Sequence, residues 1–195
     1  MTSKDTEMTP REYYHECKPE ELIYRAVVYG YDTRSLDHIV SRNRRFINER
    51  FGKLHQTALH EAVVTQSVSV VNLLLKYDAD ANVGDKYGRT LLFWASYACH
   101  PVLLNILLNA RASPRQADTS GRNCFNVVGL STKVDLHGGK IPASLWKDAD
   151  PQDLEECRKI FRDPTITKPE ELFSADVFPD DLFLEEKHRK KNNPE

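Results

Sequence analysis

The 195-residue chain has no long apolar run: no stretch approaches the ~18 consecutive apolar residues of a membrane-spanning helix. Its N-terminus is too polar and acidic for a signal peptide, which needs an apolar stretch of ~7–15 residues. The four cysteines show no Cys-x-x-Cys spacing, and no Asn-x-Ser/Thr glycosylation triplet occurs. These absences favour a reducing compartment, so we expect the protein in the cytoplasm, the nucleus or both.

Sequence signatures of catalysis, metal binding and nucleotide binding are also missing. The histidines form neither H-x-x-x-H nor H-E-x-x-H, and Gly139-Lys140 lacks the earlier glycine of a P-loop. Neither G-x-G-x-x-G nor G-x-S-x-G occurs. The net charge of −2 argues against a protein coated in positive charge for nucleic acid or membranes. We therefore expect no enzymatic activity, no metal and no cofactor.

An internal repeat organises the middle of the chain. The stretches GRTLLFWAS and GRNCFNVVG start at Gly88 and Gly121, thirty-three positions apart. Asp85 and Asp118 precede these two glycines by three positions. Asp-x-x-Gly is typical of a type I turn, so the spacing predicts one turn in each repeat.

A pair of short helices is predicted after each turn. Thr57 and Thr90, which are separated by the same interval as the two glycines, are of the residue type that caps a helix N-terminus. The apolar stretches ALHEAVVT and LLFWASYA come next, and a polar break separates each from a second one, VSVVNLLLKY or PVLLNILLN. A turn followed by two helices, repeated at a constant spacing, predicts a solenoid of stacked units.

The repeated unit resembles the ankyrin repeat. Residues 57–88 follow the family pattern T-P-L-H-x-A-A … D-x-x-G, with Ala58, Gln66 and Asp78 in place of the usual Pro, Gly and Gly. The resemblance predicts an all-α ankyrin-repeat solenoid of helix-turn-helix units with protruding turns, about three to four repeats in all. A left-handed backbone at Asp78, and at Arg111 one repeat later, would cost roughly 1 kcal/mol at each residue.

The resemblance divides the chain into three parts. A polar extension covers residues 1–19, the ankyrin-repeat domain covers 20–163, and an acidic, aromatic tail with a basic end covers 164–195. The first unit is a degenerate or capping repeat, and the last is degenerate and interrupted by an insertion over residues 129–150. The four units are expected at 22–56, 57–89, 90–122 and 123–163.

His60 is interpreted as a structural residue rather than as a metal ligand or a catalyst. It is the third residue after the cap Thr57, where the resemblance implies a bond from the ring to backbone of a neighbouring loop. Phe93 stands at the equivalent position one repeat later, and a phenyl ring could not replace a ligand or a catalyst. Structural roles are also expected for Thr57, Thr90, Gly88 and Gly121.

The resemblance implies that a partner protein binds the concave surface, at the turn tips and the exposed ends of the first helices. Tyr, Trp and Arg are enriched at binding hot spots, which favours Tyr87, Arg89, Trp94 and Tyr97. Packing of Trp94 between repeats is an equal alternative. The full set carried over from the family is Lys53, Gln56, Thr65, Lys86, Tyr87, Arg89, Trp94, Tyr97, Thr119, Ser120 and Arg122.

A basic cluster at residues 34–53 is the second candidate site. It carries six Lys/Arg residues against Asp37 and Glu49. Either the cluster is a solvated surface, or it meets the phosphate groups of a nucleic acid or a phosphoinositide. The second alternative would act through Arg42, Arg44, Arg45 and Arg50.

The tail is the third candidate site. Residues 164–186 hold seven Asp/Glu and one Lys, together with large apolar side chains that the repeat stack or a partner should bury. A terminal cap and a linear peptide motif therefore remain as alternatives. The basic residues 187–191 are either a nuclear import signal or a solubilising end. In the peptide alternative the partner-binding residues are Phe173, Phe178, Leu182 and Phe183.

Together, the sequence predicts a non-enzymatic protein-protein interaction module whose partner proteins it does not identify. The module would be an adaptor, an inhibitor or a subunit of a larger assembly, acting as a monomer or within a hetero-complex. The main alternative is binding of nucleic acid or a phosphoinositide through residues 34–53. A fold by itself does not choose among these activities.

Overall fold

The computed structural model describes residues 17–128, 150–163 and 165–166, and the regular structure within them is helical apart from one antiparallel bridge between Phe51 and Gln56. Two short 3-10 turns, Arg44–Phe46 and Phe125–Val127, accompany the α-helices. The α-helices of the described residues are α1 (Leu22–Val28), α2 (Thr33–Asn43), α3 (Ala58–Val64), α4 (Val68–Lys76), α5 (Leu91–Tyr97), α6 (Pro101–Asn109) and α7 (Pro151–Phe161).

Several predicted segments lie outside the described residues. They are residues 1–16 of the N-terminal extension, residues 129–149 of the insertion, and the tail beyond Ile166 with its basic end at 187–191. The candidate tail residues Phe173, Phe178, Leu182 and Phe183 are therefore also outside.

The helices pack in consecutive pairs, and the pairs stack side by side. Helix α1 packs on α2, α3 on α4 and α5 on α6. Between pairs, the first helices form one layer through α1–α3 and α3–α5 contacts, and the second helices form another through α2–α4 and α4–α6 contacts. In the last unit the 3-10 turn at 125–127 packs on α5, and α7 packs on α6. The predicted all-α repeat solenoid is confirmed.

Side-chain caps start the helices where the sequence predicts them. The Thr57 hydroxyl accepts the His60 N–H at the start of α3, and the Thr90 hydroxyl accepts the Phe93 N–H at the start of α5. Pro101 occupies the first turn of α6, where a missing N–H leaves no hydrogen bond unmade. Each cap satisfies a backbone donor that has no partner inside its helix, so the boundaries follow directly from the sequence.

Left-handed residues recur with the same period as the helices. Asp78 and Arg111 have φ angles of 63° and 62°, which lie in the left-handed region. Gln66 and Cys99, which occupy equivalent positions between the two helices of their units, have φ angles of 56° and 49°. Each of these conformations costs a non-glycine residue roughly 1 kcal/mol, and stacking must offset that strain.

Aliphatic side chains between the helix layers form the core. Val71 and Leu74 of α4 and Leu104 and Leu107 of α6 are fully buried, in agreement with the apolar faces expected from the sequence. Burial of a leucine side chain stabilises the fold by about 1.5–3 kcal/mol relative to exposure. This core supports the loops that leave the stack between consecutive helix pairs.

Candidate protein-binding surface

Three loops connect the helix pairs, at residues 51–56, 84–89 and 117–122, and are called the fingers here. In the second finger the Gly88 N–H donates to the Asp85 carbonyl over 2.9 Å, and Gly121 repeats this turn in the third. Neighbouring fingers are joined by main-chain hydrogen bonds from Lys86 to Leu54 and from Thr119 to Tyr87, each of 2.8 Å. The three loops are therefore held in register.

A buried ion pair organises the second finger. Asp85 Oδ1 accepts the backbone N–H groups of Tyr87 (2.9 Å) and Arg89 (3.1 Å). Asp85 Oδ2 lies 2.8 Å from both Nε and Nη2 of Arg89. The Arg89 side chain is only 1% exposed and that of Asp85 0%. One carboxylate thus fixes the turn and neutralises a buried cation.

The third finger repeats this arrangement in a more open form. Asp118 Oδ1 accepts the N–H groups of Ser120 and Arg122, and Oδ2 lies 3.0 Å from Arg122 Nη2. The Arg122 side chain is 25% exposed. The turn pattern predicts no ion pair at Asp85 or Asp118, although Asp-x-x-x-Arg at both positions is a signal for the pairing.

Three of the predicted contact residues are not accessible, and the prediction for Arg89, Trp94 and Tyr97 is corrected. All three are buried. The Arg89 guanidinium carbon lies 4.4 Å from the Trp94 ring centroid and 4.9 Å from that of Tyr87. Trp94 also makes edge contacts with Phe93 and Tyr97. The Arg89 side chain is held by Asp85 and by the Tyr87 and Trp94 rings. These contacts favour the alternative that Trp94 packs inside the protein.

The other predicted contact residues reach the surface to different degrees. Thr65, at the end of α3, is exposed, and Tyr87 is half-buried beneath the Lys86 ammonium, 5.9 Å from its ring centroid. At the fingers, the exposed side chains are Lys53, Lys86, Thr119 and Ser120, and the half-buried ones are Gln56, Tyr87 and Arg122. The accessible part of the candidate surface is thus the row of finger tips.

His60 is part of the support beneath the second finger. Its Nδ1 accepts the Thr57 N–H over 3.2 Å, which places the proton of the neutral ring on Nε2. Nε2 is buried and makes no hydrogen bond within the described residues, although the Arg89 backbone is close enough to act on the pKa of the ring. Burial lowers the pKa of His60 to about 4, outweighing the nearby Asp85 carboxylate, which acts in the opposite direction. A neutral, fully buried ring that bonds to its own helix cap agrees with the structural interpretation.

The neutral state of His60 makes stability depend on pH. In the unfolded chain the ring titrates near 6.5, whereas in the fold its pKa is about 4. The unfolded state therefore binds more protons between these values, and the free energy of unfolding should fall as pH drops below 6.5. By pH 5 this contribution amounts to about 2 kcal/mol. Replacing His60 by Phe, the residue found at position 93, should remove it.

Urea unfolding of wild type and His60→Phe at pH 7, 6 and 5 measures this difference. Burial also lowers the pKa of His100, which remains in both proteins and cancels in the comparison. An identical pH dependence in the two proteins would contradict a neutral His60 in the fold.

The basic cluster lies on the first unit and the first finger. The Arg44 side chain already has partners within the protein. Its Nε donates to the Tyr77 carbonyl over 3.2 Å, and its Nη2 pairs with Asp78 at the end of α4. The Arg45 guanidinium carbon lies 4.5 Å from the Phe46 ring centroid. Among the described residues, no acidic side chain forms an ion pair with Arg34, Arg42, Arg45, Arg50 or Lys53, and all five are exposed.

The part of the chain that the structure describes contains no cluster of three His, Cys, Asp or Glu side chains suited to a metal ion. Within the same residues, no helix has both the length and the apolar character needed to cross a membrane. Cys17, Cys99, Cys124 and Cys157 form no disulfide, and the last three are buried.

Comparison with known proteins places the repeats in a family. A family model described as ankyrin repeats (3 copies) matches residues 22–118. The Notch-regulated ankyrin repeat-containing protein A of Danio rerio is 27% identical over 100 residues, covering 50% of this chain and 89% of the relative. The nuclear factor NF-kappa-B p105 subunit of Rattus norvegicus is 39% identical over 84 residues, covering 42% of this chain and 9% of the relative.

A solved structure with a similar fold is the ankyrin repeat domain of Bcl-3, a member of the IkappaB protein family. It is 22% identical, with a TM-score of 0.49, and the match covers 55% of this chain and 46% of that one. The family match covers α1 to α6 and the first two fingers. The chain belongs to the ankyrin-repeat family, whose repeats are protein-interaction modules.

Proposed function

We propose that this protein binds a partner protein through the row of finger tips on its concave side, without catalysing a reaction. The observation that carries this proposal is the alignment of the fingers by the Lys86–Leu54 and Thr119–Tyr87 main-chain bonds. That alignment presents Lys53, Lys86 and Thr119 as exposed side chains on consecutive loops. The partner would cross several repeats, as extended surfaces of solenoids allow.

The rigidity of the fingers favours binding. A loop that is already ordered loses little conformational entropy when a partner docks, so more of the contact energy contributes to affinity. Tyr87 is the best anchor, because its ring is half-buried and held in place by contacts with Arg89 and Lys86. Side chains of this kind dominate binding energy at protein interfaces.

Affinity capture with mass spectrometry tests the proposal. Full-length wild type is compared with Tyr87→Ala and with Asn72→Ala, which changes an exposed residue on α4, in the other helix layer. A hot-spot loss of about 2 kcal/mol corresponds to roughly 30-fold weaker binding, so a partner should be lost with Tyr87→Ala and kept with Asn72→Ala. Equal capture by all three proteins would refute binding through the fingers.

The tail provides a second part of the proposal, recruitment of a further partner through Phe173, Phe178, Leu182 and Phe183. A chain ending at Asp163 removes these residues, and a thermal melt first establishes that it is folded. A partner that is captured by the full chain and lost on truncation, but kept by Tyr87→Ala, would be bound by the tail. A partner kept on truncation assigns recognition to the repeats.

We place this activity in the cytoplasm or the nucleus. Four cysteines that form no disulfide are consistent with a reducing compartment, and one relative is named as a nuclear factor subunit. Imaging of the full chain with and without residues 187–191 tests whether these basic residues are an import signal. Equal nuclear fractions would assign them a solubilising role.

A further inference from the structure

We propose that the acidic segment 170–186 of this chain docks on Arg42, Arg45, Arg50 and Lys53. These four exposed residues are called the basic face here. The docked segment would compete with any other ligand for the basic face. It shares Lys53 with the finger-tip surface proposed above, but its test requires no partner protein.

Charge is distributed unevenly along the chain. Residues 22–128, which form the first three helix pairs and the fingers, contain thirteen Lys/Arg and eight Asp/Glu, a net charge of +5. The whole chain carries −2, so the remaining residues are strongly acidic. Residues 170–186 alone contribute seven carboxylates and no Lys or Arg. Two parts of one chain thus carry opposite charge.

The basic face is accessible to a further charged group. Arg42, Arg45, Arg50 and Lys53 are exposed and have no ion-pair partner among the described residues. They lie on successive elements, from the last turn of α2 through the 3-10 turn to the first finger. Because they lie on successive elements, the four cations can each pair with a different carboxylate of residues 170–186.

The chain after Ile166 is long enough to bring the acidic segment to the basic face. Three steps between neighbouring second helices separate α7 from α2, and packed helices lie about 8–10 Å apart, so the distance is roughly 30 Å. The described chain reaches Ile166, and the fourteen residues from there to Asp180 span up to about 48 Å when extended. Asp180, Asp181, Glu185 and Glu186 can therefore reach the first unit.

The energy of the contact would come from several weak ion pairs. An exposed ion pair is worth only about 0.2–1 kcal/mol, so a free acidic peptide would bind this face weakly. A tethered segment binds at an effective concentration of the order of millimolar, which lets several weak pairs act together. The contact should therefore be intramolecular, reversible and sensitive to salt.

Zero-length carbodiimide cross-linking of the full chain tests the proposal, with peptide mapping by mass spectrometry. The Lys53 amine should form amides with carboxylates of residues 170–186. Lys76 provides an internal control, because its Nζ lies 3.4 Å from Asp37 and should link to it in any folded sample. A mixture of unlabelled and nitrogen-15-labelled chains separates links within one chain from links between copies.

The triple variant Arg42→Gln, Arg45→Gln, Arg50→Gln should reduce the yield of Lys53–tail links several-fold and leave the Lys76–Asp37 link unchanged. Raising the salt from about 0.05 M to about 1 M should also reduce the yield of Lys53–tail links, because the Debye length falls to about 3 Å. Absence of Lys53–tail links, links found only between copies, or links unaffected by the triple variant would each overturn the proposal. Equal affinity for a single-stranded oligonucleotide before and after neutralising the seven carboxylates would also overturn it, since the face would then be uncovered.

Discussion

Replacing Asp85 by Asn is expected to lower the free energy of unfolding by about 3–5 kcal/mol, the usual loss when one partner of a buried ion pair is removed. Asparagine retains an oxygen for the N–H groups of Tyr87 and Arg89, so the turn keeps its main-chain partners. It loses the charge that neutralises Arg89, whose side chain is only 1% exposed. Chemical unfolding at pH 7 measures the difference.

Asp118→Asn is the matched control, because Asp118 forms the same turn one repeat later. Arg122 is 25% exposed, so water can solvate its charge and the loss should not exceed about 1 kcal/mol. Adding Arg89→Met to Asp85→Asn should recover part of the stability, because the unpaired cation disappears. Equal losses at the two aspartates would contradict this explanation and attribute the effect to the turn they share.

This comparison also bears on binding. Arg89 is a residue type enriched at interfaces, but its guanidinium is committed to Asp85 and to the Tyr87–Trp94 stack. Its contribution to recognition would be indirect: it holds the Tyr87 ring and the backbone of the second finger in place. A loss of partner capture in an Arg89 variant would consequently accompany a loss of stability.

Local signals made most of the fold predictable. Thr57 and Thr90 cap helices because their hydroxyls accept nearby N–H groups, and this chemistry depends only on neighbouring residues. The left-handed residues Asp78 and Arg111 follow from the family pattern, in which glycine occupies those positions. The same period applied to Gln66 would have located Cys99 as a further left-handed residue.

The accessible part of the candidate surface was less predictable, because burial depends on contacts between units. Trp94 and Lys86 both lie near a finger, yet the indole is buried against Arg89 while the ammonium is exposed. The repeat does not predict the burial of Trp94, because the equivalent residue one repeat earlier is Glu61. The identity of residues at the finger tips could be inferred from the sequence, but not their exposure.

Replacing Leu107 by Ala is expected to destabilise the protein by about 2–5 kcal/mol, because truncating a buried leucine leaves a cavity as well as removing apolar contacts. Leu107 is 0% exposed and lies on α6, which packs against α4, α5 and α7. Leu74, the equivalent residue of α4, is equally buried and should show a loss of the same size. Thermal and urea unfolding measure both variants.

Val102→Ala is the control for Leu107→Ala, since Val102 lies on the same helix but is 50% exposed and should change stability by less than about 0.5 kcal/mol. Small domains are stable by only about 5–15 kcal/mol, so the core variants should approach global unfolding. In a solenoid each unit is stabilised by its neighbours, and Leu107→Ala weakens α6, the helix on which α7 packs. Leu107→Ala should therefore increase the rate of hydrogen exchange in α7 more than Leu74→Ala does. Equal exchange in α7 for both variants would show that the stack unfolds as one cooperative unit rather than repeat by repeat.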